Sequence, residues 1–519
     1  MTKRAVFLNS LSGIALFAAS TAIAFVMSPI MVHSLGNRRY GIWELITTLI
    51  GYLGVLELGV GSALVRFVAD AQSRNDRDAL MKIFNTGLVG LSAIGMCGFF
   101  VVLIGMSLPG RIFGIDSKDL AMAKPVVFIF GINLAIYLVR VALSAYLLGM
   151  QAHRVLNGIV LVVSLVMAVV TYHILTTGIP SPLFWMAMVG VCGTIAQVVL
   201  LSVWIIVIDR NIRIAPSLFN METMKTLFGF GFKSATILGS LALVDRMVSV
   251  VIAYTAGVAE IAYFILPNRL VNYTGSLVSQ AGFPLTPYFA DLAGKGDLGA
   301  VRKTWIQTSR ILQVATLAAP VALAILGGPL LKVWIGAQYA VRGKWILYFL
   351  CTGLFVQGIV ANRDRLLISL NKHGRLAQVT SVLAIVAFSA SIGLGYLWGI
   401  NGVAAAIAGF VVSMCGFEIT LTCRVVEMSV LEYFRTTALR LAGPLVAMAA
   451  LLIALRYIAY PRGYGQIILY GLAGALVYLT ATWFIALETG ERKLVRVIVA
   501  GMGHKVALVL RPALARGRR

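Results

Sequence analysis

Residues 183–208 read LFWMAMVGVCGTIAQVVLLSVWIIVI, an unbroken apolar run without a charged side chain. An α-helix rises about 1.5 Å per residue, so roughly 20 apolar residues cross the hydrocarbon of a bilayer. Similar runs follow one another along the chain, and their continuous apolar character excludes an outer-membrane barrel, whose strands would alternate. The sequence therefore predicts an all-α polytopic membrane protein with about 14 transmembrane helices. The predicted spans lie at 7–34, 40–68, 83–108, 124–148, 155–175, 183–208, 227–256, 259–289, 304–331, 343–370, 376–398, 402–423, 438–459 and 465–487.

The composition supports a membrane protein and explains the charge. Of the 519 residues, 60% are hydrophobic and the mean hydropathy is +0.93, which excludes soluble and disordered classes. The formal net charge is +24. With a cytoplasmic N terminus, about 24 Lys and Arg fall inside and about 10 outside, as the positive-inside rule requires. An even number of spans places both termini in the cytoplasm. Topology thus accounts for most of the charge, and no nucleic-acid partner is predicted.

Motifs for catalysis or cofactor binding are weak in this chain. Asp76-Arg77-Asp78 is spelled like a metal-binding DxD motif, but its loop is too short for the α/β domain that such a site needs. We expect these acids to cap the next helix. Residues 229–234 resemble a phosphate loop without its spacing, and the five cysteines form no CxxC pair. The sequence predicts no enzyme, no metal site, no cofactor and no ATPase site.

Arginines inside the apolar runs are the main functional signal. The clearest cases lie well inside predicted spans: Arg140, Arg246, Arg269, Arg363 and Arg365. A cation at the bilayer centre costs roughly 2.5–3.5 kcal/mol, so these side chains should face a watery cavity or an acidic partner. Basic residues outnumber acids in the central spans, which predicts a cationic cavity that binds phosphate, carboxylate or sulfate groups. The alternative for any one arginine is an interhelical ion pair that holds the bundle together.

Two intramembrane carboxyl groups are candidates for proton coupling. Glu57 and Asp245 lie in predicted spans of opposite halves of the chain. A carboxyl group that titrates near neutral pH could bias the equilibrium between inward-open and outward-open states. The alternative is that Asp245 is a permanently charged partner of a neighbouring arginine.

The chain repeats part of itself. The segment from Leu64 to Asp70 resembles the segment from Leu285 to Asp291 at an offset of 221 residues, and Gly36 and Gly257 keep the same offset. Six predicted spans separate the copies, so both have the same orientation, as in several secondary transporters. The sequence predicts two pseudo-symmetric six-helix lobes around a central cavity, at 1–226 and 227–424. Two extra spans at 425–487 and a basic cytoplasmic tail at 488–519 follow.

Several of these stretches resemble a known family. Residues 29–43, residues 56–61 and the segment Arg66–Asp70 are similar to the opening of bacterial polysaccharide flippases of the Wzx type. In the second half the similar positions are Asp245-Arg246, Ala262-Tyr263, Arg269-Leu270, Pro287 and Asp291. That family belongs to a superfamily of multidrug extruders and lipid II flippases. The resemblance implies alternating access that moves an undecaprenyl-diphosphate-linked oligosaccharide from the cytoplasmic to the periplasmic leaflet.

Three functions stay open at this point. The first is a flippase for surface polysaccharide in the bacterial inner membrane, with the lipid-linked oligosaccharide and membrane lipid as ligands. A polysaccharide polymerase and a chain-length regulator are then candidate partners. The second is a drug extruder coupled to protons or Na⁺, whose cavity usually needs acids rather than a basic excess. The third is a non-transporting membrane subunit of a polysaccharide synthase, which the extra spans and the basic tail favour.

Overall fold

The computed structural model describes residues 3–57, 59–108, 110, 115, 117–281, 289, 298–370, 373–488 and 490–492. These residues form helices joined by short connections, without a strand anywhere in the described ranges. The predicted all-α class is confirmed. The helices are α1 (Lys3–Leu53), α2 (Val60–Ser73), α3 (Arg77–Ser107), α4 (Ser117–Gly149), α5 (His153–Thr176), α6 (Pro182–Ile208), α7 (Met221–Thr255), α8 (Glu260–Ala281), α9 (Leu298–Trp334), α10 (Ala337–Arg342), α11 (Lys344–Ile359), α12 (Arg363–Ser369), α13 (His373–Trp398), α14 (Ile400–Val425), α15 (Val430–Thr436), α16 (Leu439–Ile458) and α17 (Tyr464–Ala481).

The helix lengths make this a multi-pass membrane protein. Ten helices in the described part of the chain are long and apolar enough to cross a bilayer. Two shorter apolar stretches, Arg246–Thr255 and Lys344–Ile359, add to them. The number falls below 14 partly because α1 joins the predicted span 7–34 to the first part of the predicted span 40–68. The predicted polytopic helical protein is therefore confirmed.

Gly36 separates the two spans within α1. Its φ of 73° and ψ of 162° are not helical, so the chain turns there between two helical halves. Gly257, which connects α7 to α8, also has a positive φ, of 97°. Both glycines of the predicted repeat thus adopt conformations that other residues rarely reach. Most of the second copy of the repeat, including Pro287 and Asp291, lies outside the described residues.

Asp76 begins α3 as the sequence predicts. Its carboxylate accepts a hydrogen bond of 2.9 Å from the backbone N–H of Ala79, as an N-cap residue does. Thus the DxD spelling marks the start of a helix.

The chain divides into two compact units. The first comprises 1–266 with 377–407, and the second comprises 267–376 with 408–519. In the first unit, a core of α2, α3 and α4 forms around buried Leu64, Phe84 and Tyr146. In the second, Trp305 stacks on Tyr433, with ring centroids 4.7 Å apart. The predicted lobes at 1–226 and 227–424 have other boundaries, and that division stays a prediction.

Ion pairs join the end of the last helices to α9 within the second unit. Arg310 Nη1 on α9 lies 3.0 Å from Glu488 Oε1 and 3.0 Å from Glu491 Oε1. Arg440, at the start of α16, also pairs with Glu488. Hydrogen bonds from Arg310 and Arg440 hold the pKa of Glu488 below its usual value. Glu488 therefore stays ionised at neutral pH, and these ion pairs fix the hairpin of α16 and α17 to α9.

Replacing Gly36 tests the turn inside α1. A Cβ at Gly36 meets no atom within 4 Å, so Gly36→Ala acts through backbone strain alone. We expect it to destabilise the protein by about 1–3 kcal/mol. The measurement is thermal unfolding of the purified protein in detergent. Gly13→Ala, inside the regular part of α1, is the control and should be neutral or stabilising, because Ala is the better helix former. Equal losses in the two variants would contradict a special conformation at Gly36.

Candidate functional site

The second predicted span is interrupted rather than continuous. α1 ends at Leu53, residues Gly54–Glu57 form one 3₁₀ turn, and α2 begins at Val60. Gly59 before it has a φ of 68°, and a Cβ there would lie 2.5 Å from the Gly231 carbonyl oxygen on α7. A break inside a membrane span leaves backbone groups without helical partners, which must be satisfied by the protein or by water in a cavity. Breaks of this kind mark ligand sites in transporters.

Glu57 supplies one of those partners. Its side chain accepts a hydrogen bond from the backbone N–H of Gly61, in the first turn of α2. A carboxylate at a helix N terminus is stabilised by the free N–H groups and the helix dipole. The contact leaves no room for a side chain on Gly61, since a Cβ there would lie 2.1 Å from Glu57 Oε1. The break therefore fixes the position of the half-buried Glu57 carboxylate against Gly61.

Arg140 on α4 lies beside that carboxylate. Its guanidinium acts electrostatically on Glu57 and lies over the ring of Tyr137, 4.7 Å from the centroid. The neighbouring Val141 would be 2.9 Å from a Cβ on Gly61, so α2 begins directly against this part of α4. Arg140 is half-buried. Of the predicted arginines, it is the one within electrostatic range of Glu57.

Arg246 approaches the same break from α7. A Cβ on Gly51 would lie 1.5 Å from Arg246 Nη1, so the guanidinium passes directly over the last turn of the first helical stretch. It also acts electrostatically on Tyr52. The C-terminal end of a helix favours a cation, because its last carbonyls are unpaired. A hydrogen bond of 3.3 Å from Thr48 to Ser249 holds α7 against α1 one turn away. The 3₁₀ turn contacts α3, α4 and α7.

We call these residues the break site: Gly51, Tyr52, Glu57, Arg140 and Arg246. As defined, it contains two guanidinium groups and one carboxylate, an excess of one positive charge. Arg246 is exposed, so a ligand can reach its guanidinium. A planar guanidinium fork in low dielectric matches phosphate and carboxylate oxygens. The geometry is therefore suited to an anion.

Arg66 belongs to the same unit and was not among the predicted site residues. It is exposed on α2, with its guanidinium 4.6 Å from the ring centroid of Phe230 and 5.9 Å from that of Phe67. Cation–π contact with two rings orients the side chain without neutralising it. The sequence signal was its position inside the predicted span 40–68.

The predicted span 343–370 is also broken. α11 ends at Ile359, Asn362 has a φ of 69°, and α12 begins at Arg363. Side chains of neighbouring helices satisfy the exposed carbonyls. Ser309 donates to the Ala361 carbonyl at 3.2 Å, and the Tyr433 hydroxyl donates to that of Ile359 at 3.2 Å. Hydrogen bonds from the protein thus satisfy the backbone carbonyls at this second break.

Arg363 has the contacts of a structural residue. Its Nε donates to Glu418 on α14, whose side chain is only 1% exposed, and its Nη1 donates to the Val360 carbonyl at 3.3 Å. The ion pair joins two helices of the second unit, which is the alternative that we left open for any one arginine. Arg363 therefore binds a buried protein carboxylate in this structure.

The remaining predicted residues are distributed as follows. Arg269 on α8 and Arg365 on α12 are half-buried in the second unit, with Arg363, whereas Arg140 and Arg246 lie in the first. The side chain of Asp245 lies outside what the structure describes. It stays a prediction that all five arginines converge on one cavity. Proton coupling by Glu57 and Asp245 also stays a prediction. Among the described side chains, no cluster of His, Cys, Asp and Glu could hold a metal ion.

Comparison with known proteins identifies relatives in sequence. No family model matches the chain. It is 22% identical over 361 residues to the Shigella flexneri protein named "Putative O-antigen transporter", covering 68% of this chain and 82% of that one. It is 23% identical over 346 residues to "Uncharacterized membrane protein EpsK" of Bacillus subtilis strain 168, covering 64% and 66%.

Solved structures show the fold. The lipid II flippase MurJ in an inward closed conformation superposes with a TM-score of 0.72 at 14% identity, covering 94% of this chain and 100% of that one. An inward-facing multidrug resistance MATE family transporter of the MOP superfamily gives 0.64 at 14% identity, covering 78% and 94%. The chain has the fold of these transporters. The resemblance inferred from residues 29–43 and 56–61 is confirmed by the relative named as a putative O-antigen transporter and by these transporter folds.

Removing one partner of the Arg363–Glu418 pair tests its structural role. Arg363→Met strands a buried carboxylate, so we expect a loss of about 3–5 kcal/mol and a lower amount of protein in the membrane. Arg363→Met combined with Glu418→Leu removes both charges and should recover most of that loss. The measurements are membrane abundance by immunoblot and thermal unfolding in detergent.

The control is Arg424→Met, which removes an exposed arginine from α14 and should change neither quantity. A double variant as unstable as Arg363→Met alone would show that the pair does not stabilise the fold.

Proposed function

We propose that this protein is a flippase that moves an undecaprenyl-diphosphate-linked oligosaccharide across the membrane for surface polysaccharide synthesis. The likeness to the lipid II flippase carries the proposal, because it extends over 94% of the chain. The MATE transporter covers 78% of the chain. A relative named as an O-antigen transporter matches over 68% of the chain, which adds support from sequence.

The break site supplies the chemistry that such a substrate needs. A lipid-linked oligosaccharide presents a diphosphate between a long apolar tail and a polar head. Arg140 and Arg246 would bind the diphosphate oxygens, while the lipid tail stays in the bilayer. Arg269 and Arg365, which the sequence also predicts as substrate-binding residues, stay candidates for the same role.

The direction and the setting form part of the same proposal. The charge asymmetry of the loops supports a cytoplasmic location of both termini in a bacterial inner membrane. Transport then runs from the cytoplasmic to the periplasmic leaflet by alternating access of the two predicted lobes. A polymerase and a chain-length regulator would receive the flipped repeat unit.

Complementation of a deletion strain tests both the function and the arginines. We expect deletion to abolish the surface polysaccharide and the intact gene to restore it. Arg140→Ala and Arg246→Ala should reduce export by at least about tenfold at normal membrane abundance, since each removes a charge-assisted contact of roughly 1.5–3 kcal/mol. Arg140→Lys and Arg246→Lys keep the charge and should retain part of the activity.

The matched control is Arg154→Ala, an exposed arginine at the start of α5 outside the break site. Complete surface polysaccharide in the deletion strain would refute the flippase. If deletion abolishes export but all the arginine variants export normally, the protein remains a transporter and the break site is refuted as its substrate site. Binding of cationic dyes without binding of lipid-linked sugar would favour a drug extruder. Unchanged polymer output after charge-neutral substitution of these arginines, with no lipid translocation by the reconstituted protein, would favour a non-transporting synthase subunit.

Glu57 links the break site to the proposed proton coupling. Glu57→Gln keeps the shape of the side chain and its ability to accept from Gly61, but it cannot exchange a proton. We expect transport by Glu57→Gln in proteoliposomes to lose its dependence on an imposed pH gradient. Asp245→Asn, measured in parallel, tests the second predicted carboxyl group. A pH dependence equal to that of the unchanged protein would leave Glu57 as a capping residue alone.

A further inference from the structure

A basic pocket lies away from the break site, where α3 begins and the chain leaves α6. Its volume is 660 Å³, and its walls come from the first turns of α3 and from the linker between α6 and α7. The lining residues are Arg77, Asp78, Met81, Lys82, Asn211, Arg213, Ser217, Leu218, Phe219 and Asn220.

The charge of this pocket favours an anion. Arg77, Lys82 and Arg213 line it against the one acidic lining residue, Asp78, which leaves an excess of two positive charges. Arg77 is partly neutralised, because its Nη1 lies 2.9 Å from Asp209, a carboxylate that is 5% exposed. Lys82 and Arg213 are exposed. These two cations are therefore the groups best placed to meet a ligand.

Hydrogen bonds hold the walls of the pocket in place. Buried Asn85 on α3 donates to the carbonyl of Arg213 at 2.9 Å and accepts from the N–H of Ala215 at 2.8 Å. The Tyr146 hydroxyl donates to Asp209 at 3.1 Å. The linker is thus fixed to α3 and α4 through its backbone and through Asp209. The side chains of Lys82 and Arg213 remain oriented toward the pocket without a structural task in these bonds.

Apolar side chains of the linker and of the first residue of α7 are exposed next to the pocket. Ile214 is 55% exposed, Leu218 37% and Met221 60%, although they follow the end of α6 at Ile208. Exposed apolar groups in a connecting segment beside basic groups are typical of a surface that lies in the bilayer interface. There the apolar groups reach the acyl chains and the cations stay at the level of the headgroups.

We propose that this pocket binds the headgroup of an anionic phospholipid from the adjacent leaflet. The phosphate would lie between Lys82 and Arg213, and the acyl chains would run past Ile214 and Leu218. A soluble phosphate ester would meet the same cations but would gain nothing from the exposed apolar side chains. The linker joins the last helix of one predicted lobe to the first of the next, so a bound lipid would occupy the connection between them. The proposal does not depend on the transported substrate.

Native mass spectrometry of the purified protein in detergent, titrated with phosphatidylglycerol, tests this site. Lys82→Gln combined with Arg213→Gln should weaken the first binding step by about 30-fold, which is about 2 kcal/mol at roughly 1 kcal/mol per basic residue. Ile214→Ser combined with Leu218→Ser should weaken it as well, because the acyl contacts are lost. Neither double variant removes a bond that fixes the linker.

The control is Arg154→Gln combined with Arg424→Gln, which removes two exposed cations outside the pocket. Lipid affinity should stay within about twofold of that of the unchanged protein, because distant exposed charges are screened. Glycerol 1-phosphate, which has the phosphate but no tail, should not displace the lipid. Equal weakening by the control variant would overturn the proposal, as would equal binding of phosphatidylcholine. Displacement by glycerol 1-phosphate would instead indicate a soluble phosphate site. None of these outcomes depends on whether the protein is a flippase.

Discussion

Backbone hydrogen bonding inside a hydrocarbon layer is the constraint on which the rest of this structure depends. Lipid offers no partner for an N–H or C=O group, so a spanning segment is helical unless protein or cavity water replaces the lost bonds. The chain departs from regular helix at Gly54–Glu57 and again around Asn362, and each departure has a nearby solution. At the first, Glu57 accepts from the N–H of Gly61. At the second, Ser309 and Tyr433 donate to the exposed carbonyls.

The same reasoning separates the arginines into two kinds. Arg363 and Arg310 are buried and lie against Glu418 and against Glu488 with Glu491, so their charges are compensated by protein. A lone buried charge would cost several kcal/mol, and burial of these two side chains depends on those carboxylates. Arg246 is exposed beside a helix end. Its charge needs no buried acid, because water or an anionic ligand can reach it. All these arginines lie within apolar runs. They differ in their exposure and in whether a protein carboxylate is their partner.

The sequence predicted the helical class, the multiple spans and the turn at Gly36, because run length and a glycine between two runs are local signals. It missed the break in the second span, since residues 40–68 are mostly apolar and their charged residues are only Glu44, Glu57 and Arg66. The break depends on the fit of Gly59 against the Gly231 carbonyl, which is tertiary. The pairing of Arg363 with Glu418 joins residues 55 positions apart, so no local pattern shows it. The linker pocket was missed for the same reason: Asn85 and Arg213 lie 128 positions apart.

A consequence of the break site follows from the number of charges that one guanidinium can satisfy. Arg140 lies within electrostatic range of Glu57, and in the proposed function it also binds a diphosphate. Both anions in the same low-dielectric volume would repel each other, so an arriving diphosphate favours the protonated form of the carboxyl group. By linkage, a proton on Glu57 then favours the diphosphate equally. Protonation also weakens the cap on α2, because a neutral carboxyl is a poorer acceptor for the N–H of Gly61. In the proposed function, anion binding and the bond that orders the broken span would thus be coupled through Glu57.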